Sequence, residues 1–84
     1  MTTGALGAPD EETGMRRQPV SSSNLRSVGY DEGSETLEIE FHSGGVYRYR
    51  QVAQAVHDAL LAADSKGRFF NAYIKDRYPF VRAA

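Results

Sequence analysis

The chain contains no cysteine. Disulfides, thiolate metal sites and thiol nucleophiles are excluded together, and a reducing compartment fits. It has no apolar run near the roughly 20 residues that span a bilayer. Met1 to Asp10 lacks both a basic start and a long apolar stretch, so no secretory signal is expected there. The expected location is the cytoplasm, away from membranes. Histidine is scarce. His42 falls at a hairpin turn and His57 on a helix, with no second ligand at regular spacing, so neither a metal nor another cofactor is expected. No Walker-type glycine loop is present. Ser22 and Ser23 have no sequence neighbour that would activate a hydroxyl. Glu38 and Glu40 each face an expected arginine partner, the opposite of the setting a general acid needs. No catalytic residue is assigned, and an enzyme is not expected.

What remains is enough for one domain. The 84 residues are 40% hydrophobic and 25% charged, which is ordinary globular composition. The net charge of −1 hides an uneven layout. Residues 1–45 hold Arg16, Arg17 and Arg26 against eight acids. Residues 46–84 hold Arg48, Arg50, Lys66, Arg68, Lys75, Arg77 and Arg82 against Asp58, Asp64 and Asp76. Local charge, rather than the average, governs attraction to nucleic acid.

Residues 1–18 read as a disordered tail. They contain Gly4, Gly7, Pro9 and Gly14, an acidic Asp10-Glu11-Glu12 cluster and no apolar face to offset the entropy of ordering. Met15, followed by Arg16-Arg17, is an alternative start. The domain is expected over residues 19–84. Leu25 to Tyr30 suits a short strand, and Asp31-Glu32-Gly33-Ser34 is a turn by residue type. Thr36 to Phe41 alternates strictly, placing Leu37, Ile39 and Phe41 toward a core and Glu38 and Glu40 toward water. A three-residue loop, Ser43-Gly44-Gly45 with Gly45 left-handed, sets Tyr47 opposite Phe41 and Tyr49 opposite Ile39. It also sets Arg48 across from Glu40 and Arg50 across from Glu38.

After Val52 the period becomes helical. Val52, Ala55, Val56, Ala59, Leu60 and Ala63 form one stripe of a helix over about residues 53–63. Asp64 or Ser65 caps a second helix that buries Phe70, Tyr73 and Ile74. Pro79 stops it near Asp76. The expected fold is α+β: a three-stranded antiparallel meander, then two helices packed on one face, with Phe80-Val81 as a short C-terminal strand.

From about Val20 to Arg82 the chain carries a series of short stretches. Ser22-Ser23 precedes Val28-Gly29-Tyr30-Asp31. Leu37-Glu38-Ile39-Glu40-Phe41 leads into Ser43-Gly44, and Val46-Tyr47-Arg48-Tyr49 has tyrosine-any-tyrosine at its core. Ser65-Lys66-Gly67-Arg68-Phe69-Phe70-Asn71 and Ile74-Lys75 close it. In this order the series resembles the KTSC domain, a short module found at the C-terminus of some lysyl-tRNA synthetases and as stand-alone bacterial proteins. Ala53 departs from the proline that similar sequences often carry at the helix start. The resemblance implies RNA binding, by association with a tRNA enzyme, and implies no mechanism.

The candidate site residues follow from position. Ser65-Lys66-Gly67-Arg68 opens a helix, where free N–H groups favour an anion. Lys66 and Arg68 add charge, and Gly67 either admits a ligand to the backbone or packs against a tyrosine. Asn71 and Lys75 lie one turn apart and flank the same patch, unless Asn71 instead bonds the Ser22-Ser23 lead. Arg77, Arg48 and Tyr49 extend the set. Tyr47 and Tyr49 either complete the core or offer a ring on which a base stacks, an interaction of about 1–3 kcal/mol. Two partners are therefore expected, RNA or a protein docked at a sheet edge or aromatic patch.

Overall fold

The computed structural model describes residues 16–84. Seven elements follow in order: β1 Gln18–Pro19, β2 Leu25–Asp31, β3 Thr36–Phe41, β4 Val46–Tyr49, α1 Gln54–Ala62, α2 Lys66–Tyr73 and β5 Phe80–Arg82. All five strands form one antiparallel sheet in the order β1-β2-β3-β4-β5. The α+β plan is as expected, but the sheet is wider. β1 and β5 add an edge on each side of the three-stranded meander. β1 starts at Gln18, just before the expected boundary at Pro19, and Arg16 already makes a β-bridge ahead of it. The rest of the expected tail, and Met15, lie outside the described residues.

Apolar alternation fixes the faces. Leu37 and Ile39 are fully buried and join Leu25, Val28, Tyr49, Val52, Leu60, Phe70 and Ile74 in one cluster beneath the helices. Tyr49 lies edge-on to Phe70, with ring centres 5.5 Å apart. Edge-on contacts of this kind add about 0.5–1.5 kcal/mol beyond area burial.

The β3–β4 register differs from expectation by two residues. Tyr47 pairs with Ile39, Tyr49 with Leu37, and Arg48 with Glu38. Arg50 lies beyond the strand pair, exposed. The loop is indeed three residues, but it is His42-Ser43-Gly44. Phe41 and Gly45 close it by a 2.9 Å backbone bond, and Gly44 takes the positive φ of 110°. Gly45 is required for another reason: a Cβ there would lie 2.8 Å from the Tyr47 ring. A shift of two residues leaves every side chain on its face.

Two further expectations fail. Glu38 was expected in water and is fully buried, on the sheet face opposite the helices. There Arg17 Nη1 donates to its Oε2 at 2.5 Å and Arg48 Nε to its Oε1 at 2.7 Å. Ser27 bridges the group by donating to Glu40 at 2.9 Å and accepting from Arg17 at 3.0 Å. Buried charge is tolerated only with such pairing. Gly29 makes it possible: a Cβ at this position would collide with the Arg16 carbonyl, so only glycine lets the Arg16-Arg17 segment cross the sheet here.

The helices are also rotated from their expected faces. Ala55 and Ala59 are exposed, while Val56, His57, Leu60 and Leu61 turn inward. Burying larger apolar groups removes more area from water than burying alanine. His57 stacks on Tyr30, with ring centres 4.9 Å apart. Phe70 of α2 and Ile74 at its C-cap are buried as expected, but Tyr73 is 57% exposed and its ring leans on Phe69. The α-helix ends at Tyr73, and residues 74–77 continue as turn.

Candidate nucleic-acid interface

Ser65 caps α2, its hydroxyl accepting from the Arg68 amide at 3.3 Å. The helix start is nevertheless not an open anion site. Lys66 reaches back, and its Nζ donates to the Ala63 carbonyl at 3.3 Å. Gly67 is buried, and Asn24 occupies the space beside it: a Cβ would meet Asn24 Nδ2 at 2.8 Å. The glycine admits a neighbouring asparagine, neither a ligand nor a tyrosine.

The other expected residues divide by element. Arg68, Asn71 and Lys75 are spaced by three and four residues and are all exposed, so they share the outer side of α2 and its extension. Among the described residues, neither Arg68 nor Lys75 is held in an ion pair. Arg77 is exposed but lies away from this stripe, in a groove between the helices lined by Ala55, Val56, Ala59, Phe69, Tyr73 and Tyr78. Arg48 is on the far side of the sheet and held by Glu38, so it cannot join the stripe. Tyr49 is 4% exposed and offers no stacking surface. Burial pushes its phenol up to about 12, with smaller contributions from Tyr47 and Asp76.

Residues outside the expected set complete the surface. Asn71 borders a polar cleft of about 340 Å³ with Ser23, Asn24, His42, Ser43, Phe41 and Phe70. The Ser22 hydroxyl accepts from the amides of Asn24 and Leu25, both at 3.2 Å, and shapes the lead into β2. His42 ties the hairpin to that lead. Its amide donates to the Asn24 carbonyl at 3.0 Å, and its Nε2 is 2.9 Å from the Ser22 carbonyl. Asn71 thus sits beside the serine lead without spanning it. The only advance signal for this cleft was the clustering of small polar residues at positions 22–24 and 42–43.

Acidic charge gathers at the other end of β3. The Tyr30 phenol is pushed up there, first by burial and then by Glu35, Glu32, Asp58 and Asp31. Among the described residues, no group of three or more His, Asp or Glu side chains could hold a metal ion. No helix among them is long and apolar enough to cross a membrane.

The sequence profile of the KTSC domain matches residues 21–78. The chain belongs to the KTSC domain family. It is 50% identical over 64 residues to an uncharacterized protein of Stutzerimonas stutzeri, an alignment covering 76% of this chain and 90% of that one. A crystal structure of a KTSC domain protein from Yersinia pestis superposes with a TM-score of 0.81 at 43% identity, over 83% of this chain and 99% of that chain. A lysine-tRNA ligase of Nostoc punctiforme is 41% identical over 56 residues, which is 67% of this chain but 10% of the ligase. A segment similar to this chain thus makes up nearly all of one small protein and a tenth of a much longer one.

Proposed function

We propose that this KTSC domain is a small non-catalytic module that binds single-stranded RNA across the α2 stripe and the adjoining polar cleft. The observation that carries the reading is the exposed Arg68–Asn71–Lys75 stripe bordering a cleft of Ser23, Asn24, His42 and Ser43. Cations without partners neutralise phosphates, and amide and hydroxyl groups suit base edges. Six of the eight described acids surround Tyr30 at the far end of β3 or are held by Arg17, Arg26 and Arg48, which leaves Asp64 and Asp76 at the two ends of α2 against Lys66, Arg68, Lys75 and Arg77. Relatives named as lysine-tRNA ligases carry a similar segment, which supports the same class of ligand.

Fluorescence anisotropy with a short labelled RNA tests this. Affinity falls as salt rises, because phosphate binding releases counterions. Arg68→Glu with Lys75→Glu lowers it at least tenfold, while Arg50→Glu changes it little. Equal affinity in the double variant, or affinity independent of salt, contradicts the reading.

A protein-docking role is the second reading. It is favoured by the apolar groove between α1 and α2, about 590 Å³, beside which Tyr73 stands exposed. A protein captured by the full chain after nuclease treatment, and lost on Tyr73→Asp, supports it.

A further inference from the structure

The two sheet edges differ in kind. β1 is two residues long and contains Pro19, which has no N–H to offer. β5 is the other terminal strand, and its Phe80 and Val81 are 52% and 48% exposed. Proteins usually guard such an edge with an inward-pointing charge, a proline or a bulge. The central residue of β5 is instead a half-exposed valine.

The hydrogen-bond pattern shows which groups face outward. Arg50 N–H donates to the Pro79 carbonyl at 2.9 Å, and Ala83 N–H to the Val46 carbonyl at 2.7 Å. Val81 pairs with Arg48 midway between them. In an antiparallel ladder such pairs alternate. Residues 79, 81 and 83 therefore address β4, while the N–H and C=O groups of Phe80 and Arg82 point away from the sheet.

We propose that β5 pairs antiparallel with β5 of a second copy of this chain, about a two-fold axis through Val81. This register uses every outward group. Phe80 faces Arg82 of the second copy and Arg82 faces its Phe80, each pair exchanging two backbone hydrogen bonds. Val81 meets its own copy at a non-bonded position, where side chains approach most closely. No like charges lie opposite one another. Arg82 stays on the aromatic side, its guanidinium 5.8 Å from the Tyr47 ring centre, and the facing Phe80 gives it a second ring. The axis is perpendicular to the sheet, so both helical layers share one side and the product is a continuous ten-stranded sheet. An edge of three residues buries less than a standard interface, so the dimer is concentration-dependent.

The absence of cysteine supplies the test. Val81→Cys introduces the chain's only thiol at a position whose Cα atoms lie about 4.5 Å apart across the axis, within the range of about 4.4–6.8 Å that a disulfide accepts. Val81→Cys crosslinks into a covalent dimer at least tenfold faster than the exposed helical control Ala62→Cys. Sedimentation equilibrium of the unmodified chain shows mass rising from one chain toward two with concentration. Val81→Lys, whose fold is checked by circular dichroism, sets two like charges face to face and returns the mass to one chain. Crosslinking no faster than the control overturns the proposal. A single-chain mass at every concentration, or a dimer unchanged in Val81→Lys, overturns it too.

Discussion

Arg17 reaches across β2 to Glu38 and closes on it at 2.5 Å, and both side chains are withdrawn from solvent, at 8% and 0% exposure. The contact joins residues 21 positions apart and fastens the segment ahead of β1 to the centre of the sheet. Breaking a buried pair from one side leaves a charge uncompensated, at a cost of about 3–5 kcal/mol. Arg48 still serves Glu38, so Arg17→Met is expected to lose about 3 kcal/mol in urea unfolding, the low end of that range. Adding Glu38→Leu recovers most of the loss, because Arg48 is 34% exposed and can turn to water.

Gly29 and Arg17 act as a unit. Gly29→Ala pushes the Arg16 carbonyl off the sheet and takes Arg17 with it. Unfolding of the Gly29→Ala/Arg17→Met pair should therefore show a loss well below the sum of the two single losses, as contacting residues do. Additive losses would mean that the two residues are independent.

Tyr49 predicts the alkaline limit of stability. Its phenol is raised from 10.0 to about 12 in the folded chain, chiefly by burial. Below pH 10 the phenol is protonated in both states and adds no pH dependence. Between pH 10 and about 12 the unfolded chain ionises and the folded chain does not, so stability falls as pH rises through that window. Tyr49→Phe should flatten the fall, measured as unfolding midpoint against pH. An unchanged slope would show that Tyr49 does not control this limit.

Gly67 separates stability from binding. Gly67→Ala gains helix propensity of roughly 1 kcal/mol and displaces the end of the Asn24 side chain. Thermal unfolding should change little. RNA affinity should drop several-fold, because Asn24 lines the cleft. Unchanged affinity would remove Asn24 from the binding surface.

Much of the fold is legible in the amino-acid sequence, and what is not legible has particular physical causes. The strict alternation in β3 fixed which side of the meander faces the core. The offset to β4 was not readable, because Gly44 and Gly45 both tolerate a loop and a two-residue shift conserves every face. The choice rests on the Tyr47 ring occupying the space beside Gly45, a contact invisible in composition. Arg17 was hidden by a glycine-rich, acidic lead that offered no apolar face. Tyr73 follows the same period as Phe70 and Ile74, and nothing local shows that α2 turns its ring outward.

The site was readable in part. Arg68, Asn71 and Lys75 form the stripe their spacing implies. Arg48 and Tyr49 left the set because strand partners claimed them, one in an ion pair and the other in the core. Asn24 and His42 came from segments far apart in sequence, brought together by the hairpin pairing with the β2 lead.

The most direct test is an NMR titration of the full chain with a short single-stranded RNA at low salt. The account predicts that the amides of Asn24, Ser43, Arg68 and Asn71 shift together and saturate in one process, while those around Tyr30 and Glu32 stay still. Shifts gathered around Tyr30, or no shifts at all, would contradict it.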